Sequence, residues 1–400
     1  MTDRQALLAA IRAHPDEDTP RLAFADFLDE SGDAFFALWA RLIRAQIETA
    51  NAERFSPRWL ELVGEQKRLF AARPKEWTPN WNTRLGPLAI RRGFREAADL
   101  DPYTFPKSFD TAFGSNPIRA LSMNLARARK VAALADHPGL AFVETLDLAE
   151  NGHATTPRFL RAAAEGMPRL RALGLARMEL SVSQVDDILA IRGMQNVTAL
   201  DLSGNPLFQS VTHGRPETLF HGPVMDRLRW LDLADTAPSV AALEALSTSP
   251  RSKHLTHLDL SASSLVSEPF GFYGARALAQ GGALRGVRYL DLSGQRIGTA
   301  GLRELLAPPL LRADLRELIL TNNGIDDDGV RVLAATPLPN LRRLELGRNV
   351  LSDAARDELL NSSYLVNLTV LDGAPTTPGL EPVGGDVYVV GSEALFAPCP

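Results

Sequence analysis

Residues 315–325 read LRELILTNNGI, a stretch whose leucine, asparagine and isoleucine residues fit the pattern LxxLxLxxNxL. Related phrases recur along the chain as ETLDLAEN, RALGLARM, TALDLSGN, RWLDLADT, THLDLSAS, RYLDLSGQ and RRLELGRN. The last leucine of each LxL pair advances by 26 to 32 residues, at Leu148, Leu175, Leu202, Leu233, Leu260, Leu292, Leu320 and Leu346. The fold is therefore set by a repeat rather than by one closed core.

The spacing within each repeat predicts a strand followed by a helix. LxL places two leucines on one face of a short strand. Helical patterns such as TAGLRELLAPPL, DDGVRVLAAT and DAARDELLNS follow, with Thr299, Asp327 and Asp353 expected at the cap positions. A single unit cannot bury its leucines, whereas stacked units can, and each buried leucine contributes about 1.5 to 3 kcal/mol. We therefore predict an α/β solenoid over residues 118–372, a horseshoe with a parallel concave sheet and convex helices.

The repeat resembles the ribonuclease-inhibitor-like class of leucine-rich repeats. The resemblance is carried by the period, by a helix in each unit, and by Asn323, Ile325, Asp327 and Gly329 at the positions typical of that class. It implies the solenoid fold, with the asparagine position bonding backbone groups between turns. It implies no particular function, because such arrays bind very different partners.

Residues 1–80 have a different character, with three of the five tryptophans, a fourth directly after them at Trp81, and no repeat phrase. Thr19, Pro20 and Gly32 mark the start and end of one predicted helix, and apolar spacing predicts another from about Phe35 to Ala52. We expect a small all-α domain here. Residues 81–117 are expected to link it to the repeats, and residues 373–400 to form a C-terminal cap or tail.

The stretch ALLAAIRAHPDEDTPRLAFADFLDESGD, followed by ARLIRAQIE, is similar to the bacterial repeat-companion domain found beside leucine-rich and other repeats. IRRGFREAADLD, at Ile90 to Asp101, is similar to the link that such proteins place before their repeats. This resemblance implies a companion module of unassigned activity.

Composition restricts the function classes. A net charge of -5 argues against a nucleic-acid binder or a membrane-surface protein, because both need a strongly basic face. Arginine supplies 38 of the 43 basic residues, so an arginine cluster in the sequence carries little weight. The N-terminus lacks the features of a signal peptide, and we expect a cytoplasmic protein.

The sequence carries no motif that predicts catalysis, a metal site or a cofactor. The histidines show no paired-ligand spacing, and no nucleophile has a plausible base. Cys399 is the single cysteine and has no basic neighbours to lower its thiol pKa. The acidic run at Asp326 to Gly329 lacks the acidic residues that a calcium loop needs at its other positions, so helix capping explains it.

The columns of residues beside the core leucines suggest a binding face. Side chains alternating with the leucines point onto the concave sheet. The positions between the paired leucines form a mostly acidic column: Asp147, Gly174, Asp201, Asp232, Asp259, Asp291, Ile319 and Glu345. This acidic column is also explained as a structural feature of the repeat. Just before the paired leucines, three consecutive repeats present large rings, at Trp230, His257 and Tyr289.

Exposed aromatic residues beside carboxylates are typical of binding hot spots. The candidate partner-binding residues are Trp230, His257, Tyr289, Asp232, Asp259, Asp291, Phe270 and Phe272. The two phenylalanines lie in an insertion, and they either rim this patch or fold down as a local plug. The predicted function is a non-catalytic scaffold that binds a protein or peptide of basic character on the concave face.

Two alternatives remain open. A regulator of an enzyme, in the manner of GTPase-activating leucine-rich proteins, would need a protruding side chain at the sheet edge, where Arg177 and Arg348 lie. An enzyme using Cys399 would need a base and a catalytic domain that the sequence does not provide.

Overall fold

The computed structural model describes residues 3–72, 90–100, 113, 116–125, 135–152, 155–208, 215–263, 268–372 and 374–375. Cys399 and Ser267 lie outside these residues, as do Trp77 and Trp81. Within them the chain forms a group of N-terminal helices followed by a repeat array in which strands and helices alternate.

The helices of the described part fall into two groups. Four precede the array: α1 (Asp3–Ala13), α2 (Thr19–Glu30), α3 (Ala34–Asn51) and α4 (Pro57–Ala72). Those of the array are α5 (Thr155–Ala163), α6 (Val182–Leu189), α7 (Pro216–Phe220), α8 (Val240–Thr248), α9 (Gly271–Ala279), α10 (Gly298–Leu306), α11 (Pro309–Arg312), α12 (Asp327–Ala334) and α13 (Asp353–Leu360).

The strands form a small hairpin and one long sheet. The hairpin pairs β1 (Ile90–Arg91) with β2 (Phe94–Arg95). The sheet contains, in spatial and chain order, β3 (Ala97–Leu100), β4 (Ala120–Met123), β5 (Thr145–Asp147), β6 (Ala172–Gly174), β7 (Ala199–Asp201), β8 (Trp230–Asp232), β9 (His257–Asp259), β10 (Tyr289–Asp291), β11 (Glu317–Ile319), β12 (Arg343–Glu345), β13 (Val370–Leu371) and β14 (Ala374–Pro375).

Strands β3 to β13 pair in parallel, each with its neighbour in sequence, and β14 closes the sheet antiparallel to β13. The predicted α/β solenoid with a small N-terminal helical domain is confirmed. The sheet begins at Ala97, inside the segment expected to link the two parts.

The core of the array is the predicted leucine stack. Both leucines of each pair are buried on one face of the sheet, between the strands and the helices that pack against that face. Leu231, Leu258 and Leu290 lie side by side on adjacent strands, which is the register that the repeat predicts. The free energy of burial is therefore spread along the array.

The asparagine that recurs at one position of several repeats has a bonding role. Asn205 donates through Nδ2 to the carbonyls of Leu175 and Leu202, and its Oδ1 accepts from the backbone N–H groups of Met178 and Leu180. One amide side chain thus satisfies four backbone groups in two repeats. Asn151, Asn323 and Asn349 make related bonds in their own turns.

The predicted caps at Asp327 and Asp353 are displaced by one residue, and Thr299 lies inside α10, whose cap position is Ile297 without a capping bond. The side chain of Asp326, not of Asp327, accepts from the N–H of Gly329, and Ser352, not Asp353, caps α13 through Ala355. Each of these capping residues has an extended backbone, which lets its side chain reach back to the open N–H groups of the first turn. At the start of α2 the cap position is Asp18 rather than Thr19, and its side chain makes no capping bond.

The four N-terminal helices are called here the N-terminal helical module, and the first three of them pack around one apolar cluster. Phe24, Leu28 and Ile43 are central to it, and Phe94 of the hairpin completes it, with ring centroids of Phe24 and Phe94 5.2 Å apart. The predicted helix from Phe35 to Ala52 corresponds to α3. In the described part of the chain, no helix is both long and apolar enough to cross a lipid bilayer.

Candidate functional site

The three aromatic residues predicted on the concave face lie where the repeat register places them. Trp230 pairs with His257, and His257 pairs with Tyr289, on adjacent parallel strands. Their neighbours Leu231 and Leu258 point into the core, so the rings project from the opposite face of the sheet. The alignment of this column is confirmed. These three rings, together with Asp232, Asp259 and Asp291, form the concave patch.

The expected exposure is wrong for Trp230 and Tyr289, while His257, Asp259 and Asp291 are half-buried. Only 4% of Trp230 and 3% of Tyr289 is exposed, and Asp232 is buried as well. Tyr289 stacks on His257, with centroids 5.8 Å apart and an interplanar angle of 21°. Trp230 belongs to a buried cluster with a line of small residues on the preceding strands: Ala97, Ala120, Ala172 and Ala199.

The phenylalanines of the insertion do not rim the concave patch. Phe270 packs against the leucine core at the start of α9, and its backbone N–H donates to Oε1 of Gln295. Phe272 lies within α9, which packs between α8 and α10 on the helical side of the array. The local plug is therefore the correct alternative for Phe270, because the insertion leads directly into a convex helix.

The acidic column has a structural role at the end of each strand. The Oδ1 atom of each aspartate accepts a hydrogen bond from the backbone N–H two residues later, over distances of 2.8 to 2.9 Å, at Asp147, Asp201, Asp232, Asp259 and Asp291. The chain turns out of the sheet at this point, and the carboxylate satisfies an N–H group that the sheet leaves open. The LDLS phrase is thus a strand-ending turn signal.

Burial also changes the charge of this column. Desolvation and the neighbouring Asp291 raise the pKa of Asp259 to about 8, and desolvation raises the pKa of Asp201, Asp232 and Asp291. The pKa of His257 falls to about 4, through burial and then through Arg54 and Arg288. Near neutral pH the column is less negative than its sequence suggests.

The N-terminal helical module contacts the last strands of the sheet through the loop between α3 and α4. Glu53 pairs with Arg342 at 2.7 Å, and Arg54 lies 3.4 Å from Glu317. The carbonyl of Phe55 accepts a 2.7 Å hydrogen bond from Oγ1 of Thr369. These contacts join residues that lie at opposite ends of the chain.

Phe55 is the apolar centre of this contact. Its ring lies 4.9 Å from that of Trp59 and packs with Val370, and the guanidinium groups of Arg54 and Arg343 lie over it. Phe55 also has a φ of 59°, which a bulky side chain adopts only when packing holds it there. Sequence reasoning missed this loop, since its only signal was a pair of aromatic residues four positions apart.

The same module contacts the first strands of the sheet. The fully buried guanidinium of Arg21, in α2, donates to Glu96 and to the carbonyl of Pro15, and Asp16 pairs with Arg119 at 2.8 Å. The N-terminal helical module therefore touches both ends of the sheet whose middle carries the concave patch.

The hairpin between the module and the array depends on Gly93. Its N–H donates to Oε1 of Gln46, its carbonyl accepts from Nε1 of Trp39, and its φ is +80°. A Cβ atom at Gly93 would lie 2.1 Å from Cγ1 of Ile43. The glycine of the IRRGF phrase is thus explained by a close approach of α3.

The edge arginines of the alternative function lie apart from the concave patch. Arg177 pairs with Glu150 at 3.3 Å, and Arg348 is exposed. Both have positive φ, at the same position of their repeats. The described residues also contain no group of His, Cys, Asp and Glu able to hold a metal ion.

Residues 313–334 match the Leucine Rich repeat family model, over the unit that contains LRELILTNNGI. The array is a leucine-rich-repeat solenoid. No relative among curated proteins matches the sequence.

Solved structures of similar fold include the Rad7 and Elc1 complex in yeast, at 16% identity and a TM-score of 0.42, covering 68% of this chain and 76% of that one. Another is the internalin inlF from Listeria monocytogenes, at 14% identity and a TM-score of 0.33, covering 64% and 67%. The mouse RP105/MD-1 complex gives 12% identity and a TM-score of 0.39, covering 69% and 45%.

Proposed function

We propose that this chain is a non-catalytic scaffold that binds a protein partner through its leucine-rich-repeat solenoid. The observation that supports this proposal is that the sheet face of the solenoid already receives a protein segment. Phe55 and its neighbours pack there with an apolar centre and ion pairs around it, which is the composition of a protein interface.

Within this proposal, the concave patch is the binding site, and it is closed in the present arrangement. Trp230 and Tyr289 are large, rigid rings of the kind that dominate binding energies when a partner buries them. Arg54 of the N-terminal helical module is close enough to His257 to influence its pKa. A partner would therefore reach these rings once the loop around Phe55 has moved away.

The proposed partner has no particular basic character, in contrast to the expectation from the sequence. That expectation came from the acidic column, whose carboxylates cap backbone turns and have raised pKa values. The ribonuclease-inhibitor-like class of the repeats and the repeat-companion identity of the N-terminal helical module remain part of the proposal. They are supported by the repeat period and by the four helices α1 to α4.

The test is affinity capture from the native cells with three forms of the full-length chain, followed by calorimetry with each purified captured protein. The forms are the natural chain, an opened form with Glu53→Gln and Arg54→Ala, and the opened form with Tyr289→Ala added. We expect tighter binding to the opened form and a loss of at least about fivefold when Tyr289 is removed, as for a hot-spot residue. Absence of any protein that binds the purified chain would exclude the proposed function.

A further inference from the structure

One column of the sheet is built largely of arginine. This column consists of the residue that immediately precedes the first residue of each strand from β4 to β13. In order, these residues are Arg119, Glu144, Arg171, Thr198, Arg229, Thr256, Arg288, Arg316, Arg342 and Thr369. Six of these ten positions are arginine, against 38 arginines in 400 residues overall. The arginine-rich background of the chain does not account for such a concentration.

Backbone hydrogen bonds fix this column in register. The carbonyl of Arg171 accepts from the N–H of Thr198, and the carbonyl of Arg229 accepts from that of Thr256, at 2.8 and 2.7 Å. The chain of bonds continues without a break from Arg119 to Thr369. The arginines are therefore held at the spacing of the strands, along the edge where the strands begin.

Both ends of the column bind carboxylates of the N-terminal helical module. Arg119 pairs with Asp16, and Arg342 pairs with Glu53. These two ion pairs show what this column accepts when protein is brought against it, namely the carboxylate of an aspartate or a glutamate.

The four arginines between those ends have no carboxylate partner among the described residues. They are all exposed and are called here the arginine rim: Arg171, Arg229, Arg288 and Arg316. Their neighbours Thr198 and Thr256 turn their hydroxyls to the carbonyls of Arg171 and Arg229, so no acidic side chain alternates with them. The rim is an exposed cationic edge with an acid-binding contact at each end.

We propose that the arginine rim binds an acidic, extended segment of a partner protein. The spacing favours a particular pattern of acids. Arg171, Arg229 and Arg288 lie on every second strand, about 9.6 Å apart. A polyproline II segment rises about 3.1 Å per residue with three residues per turn, so acids at every third position lie about 9.3 Å apart on one face.

A peptide is favoured over a nucleic acid because the chain as a whole carries a net charge of -5. A long polyanion would meet repulsion from the rest of the surface, whereas a short acidic segment would contact the rim alone. Bidentate pairing of guanidinium and carboxylate gives each contact geometric specificity.

The test measures binding of labelled synthetic peptides to the purified full-length chain by fluorescence anisotropy at low salt. The probe is a peptide of repeated Pro-Pro-Glu units. Its controls are a Pro-Pro-Gln repeat, a peptide of the same composition with contiguous glutamates, and oligothymidylate. The rim variant is Arg229→Gln with Arg288→Gln. The matched control is Arg276→Gln with Arg303→Gln, which removes the same charge from exposed positions on the convex helices α9 and α10.

We expect the Pro-Pro-Glu peptide to bind, the glutamine peptide not to bind, and the rim variant to lose at least about tenfold in affinity, with the convex variant unchanged. Equal loss in both variants, equal binding of spaced and contiguous glutamates, or preference for oligothymidylate would each overturn the inference. The inference uses the proposed scaffold function for its setting only. Failure to capture a natural partner would count against that function and leave the peptide result standing.

Discussion

Thr369 donates a 2.7 Å hydrogen bond from Oγ1 to the carbonyl oxygen of Phe55, 314 positions earlier in the chain. The same Oγ1 lies 3.2 Å from the carbonyl oxygen of Arg342, one repeat before it. A single hydroxyl thus joins the loop between α3 and α4 to the last turns of the solenoid. The N-terminal helical module and the terminal repeats are therefore expected to lose stability together.

Phe55→Ala tests that coupling. The change removes a buried ring that packs with Trp59 and Val370, and we expect a loss of about 3 to 5 kcal/mol in the stability of the contact. Hydrogen exchange followed by mass spectrometry should show faster exchange in both α4 and β13. Phe142→Ala is the control, because 46% of Phe142 is exposed. Faster exchange confined to α4 would contradict the coupling.

Leu260→Ala tests the stacking of the leucine core. Leu260 is fully buried between neighbouring repeats, which cannot collapse into the void, and we expect the free energy of unfolding to fall by about 2 to 5 kcal/mol. Leu360→Ala removes the same atoms from a side chain that is 51% exposed, and should cost far less. Urea denaturation followed by circular dichroism measures both. Similar midpoints for the two variants would show that the register is wrong.

Asn205→Ala tests the bonds between turns. Its side chain satisfies backbone groups of Leu175, Leu202, Met178 and Leu180, and each group left buried without a partner costs about 1 to 3 kcal/mol. Thr236→Ala, at the equivalent position of the next repeat, removes only one bond, to the carbonyl of Leu233. We expect a clearly lower melting temperature for the Asn205 variant. A larger effect at Thr236 would be inconsistent with this account.

The concave patch should make stability depend on pH. Asp259 binds its proton more tightly in the folded chain, where its pKa is about 8 against 3.8 for a free carboxyl group. Its contribution to the free energy of unfolding is therefore lost as pH rises towards 8. His257 has a pKa of about 4 in the folded chain against 6.5 for a free imidazole. Its contribution to the free energy of unfolding is therefore lost as pH falls from 6.5 to 4. These two effects oppose each other below pH 6.5, and of the two only the Asp259 effect remains between 6.5 and 8.

Asp259→Asn removes the titrating group and keeps an oxygen that can accept from the N–H of Ser261. Its melting temperature should therefore decline less between pH 6.5 and 8 than that of the natural chain. Asp357→Asn, at an exposed position of α13, serves as the control. Parallel declines in the natural chain and the Asp259 variant would rule out this carboxyl group as the cause.

The sequence by itself determined the solenoid, its register and the alignment of Trp230, His257 and Tyr289. Each follows from local periodicity, because a buried LxL pair in every repeat leaves one way of stacking the strands that hides the leucines. The helical nature of residues 3–72 was also readable, from apolar spacing and from Pro20 and Gly32. The caps were displaced by one residue because Asp, Ser and Thr occur together at these helix starts.

Tertiary structure decided what lies on the sheet. The packing of the N-terminal helical module on the sheet depends on pairs such as Phe55 with Thr369 and Arg21 with Glu96, which are far apart in sequence and belong to no periodic pattern. The arginine rim also depends on tertiary structure. Its residues are scattered in the sequence among many other arginines, and only the parallel stacking of strands, fixed by backbone hydrogen bonds, brings them into one line.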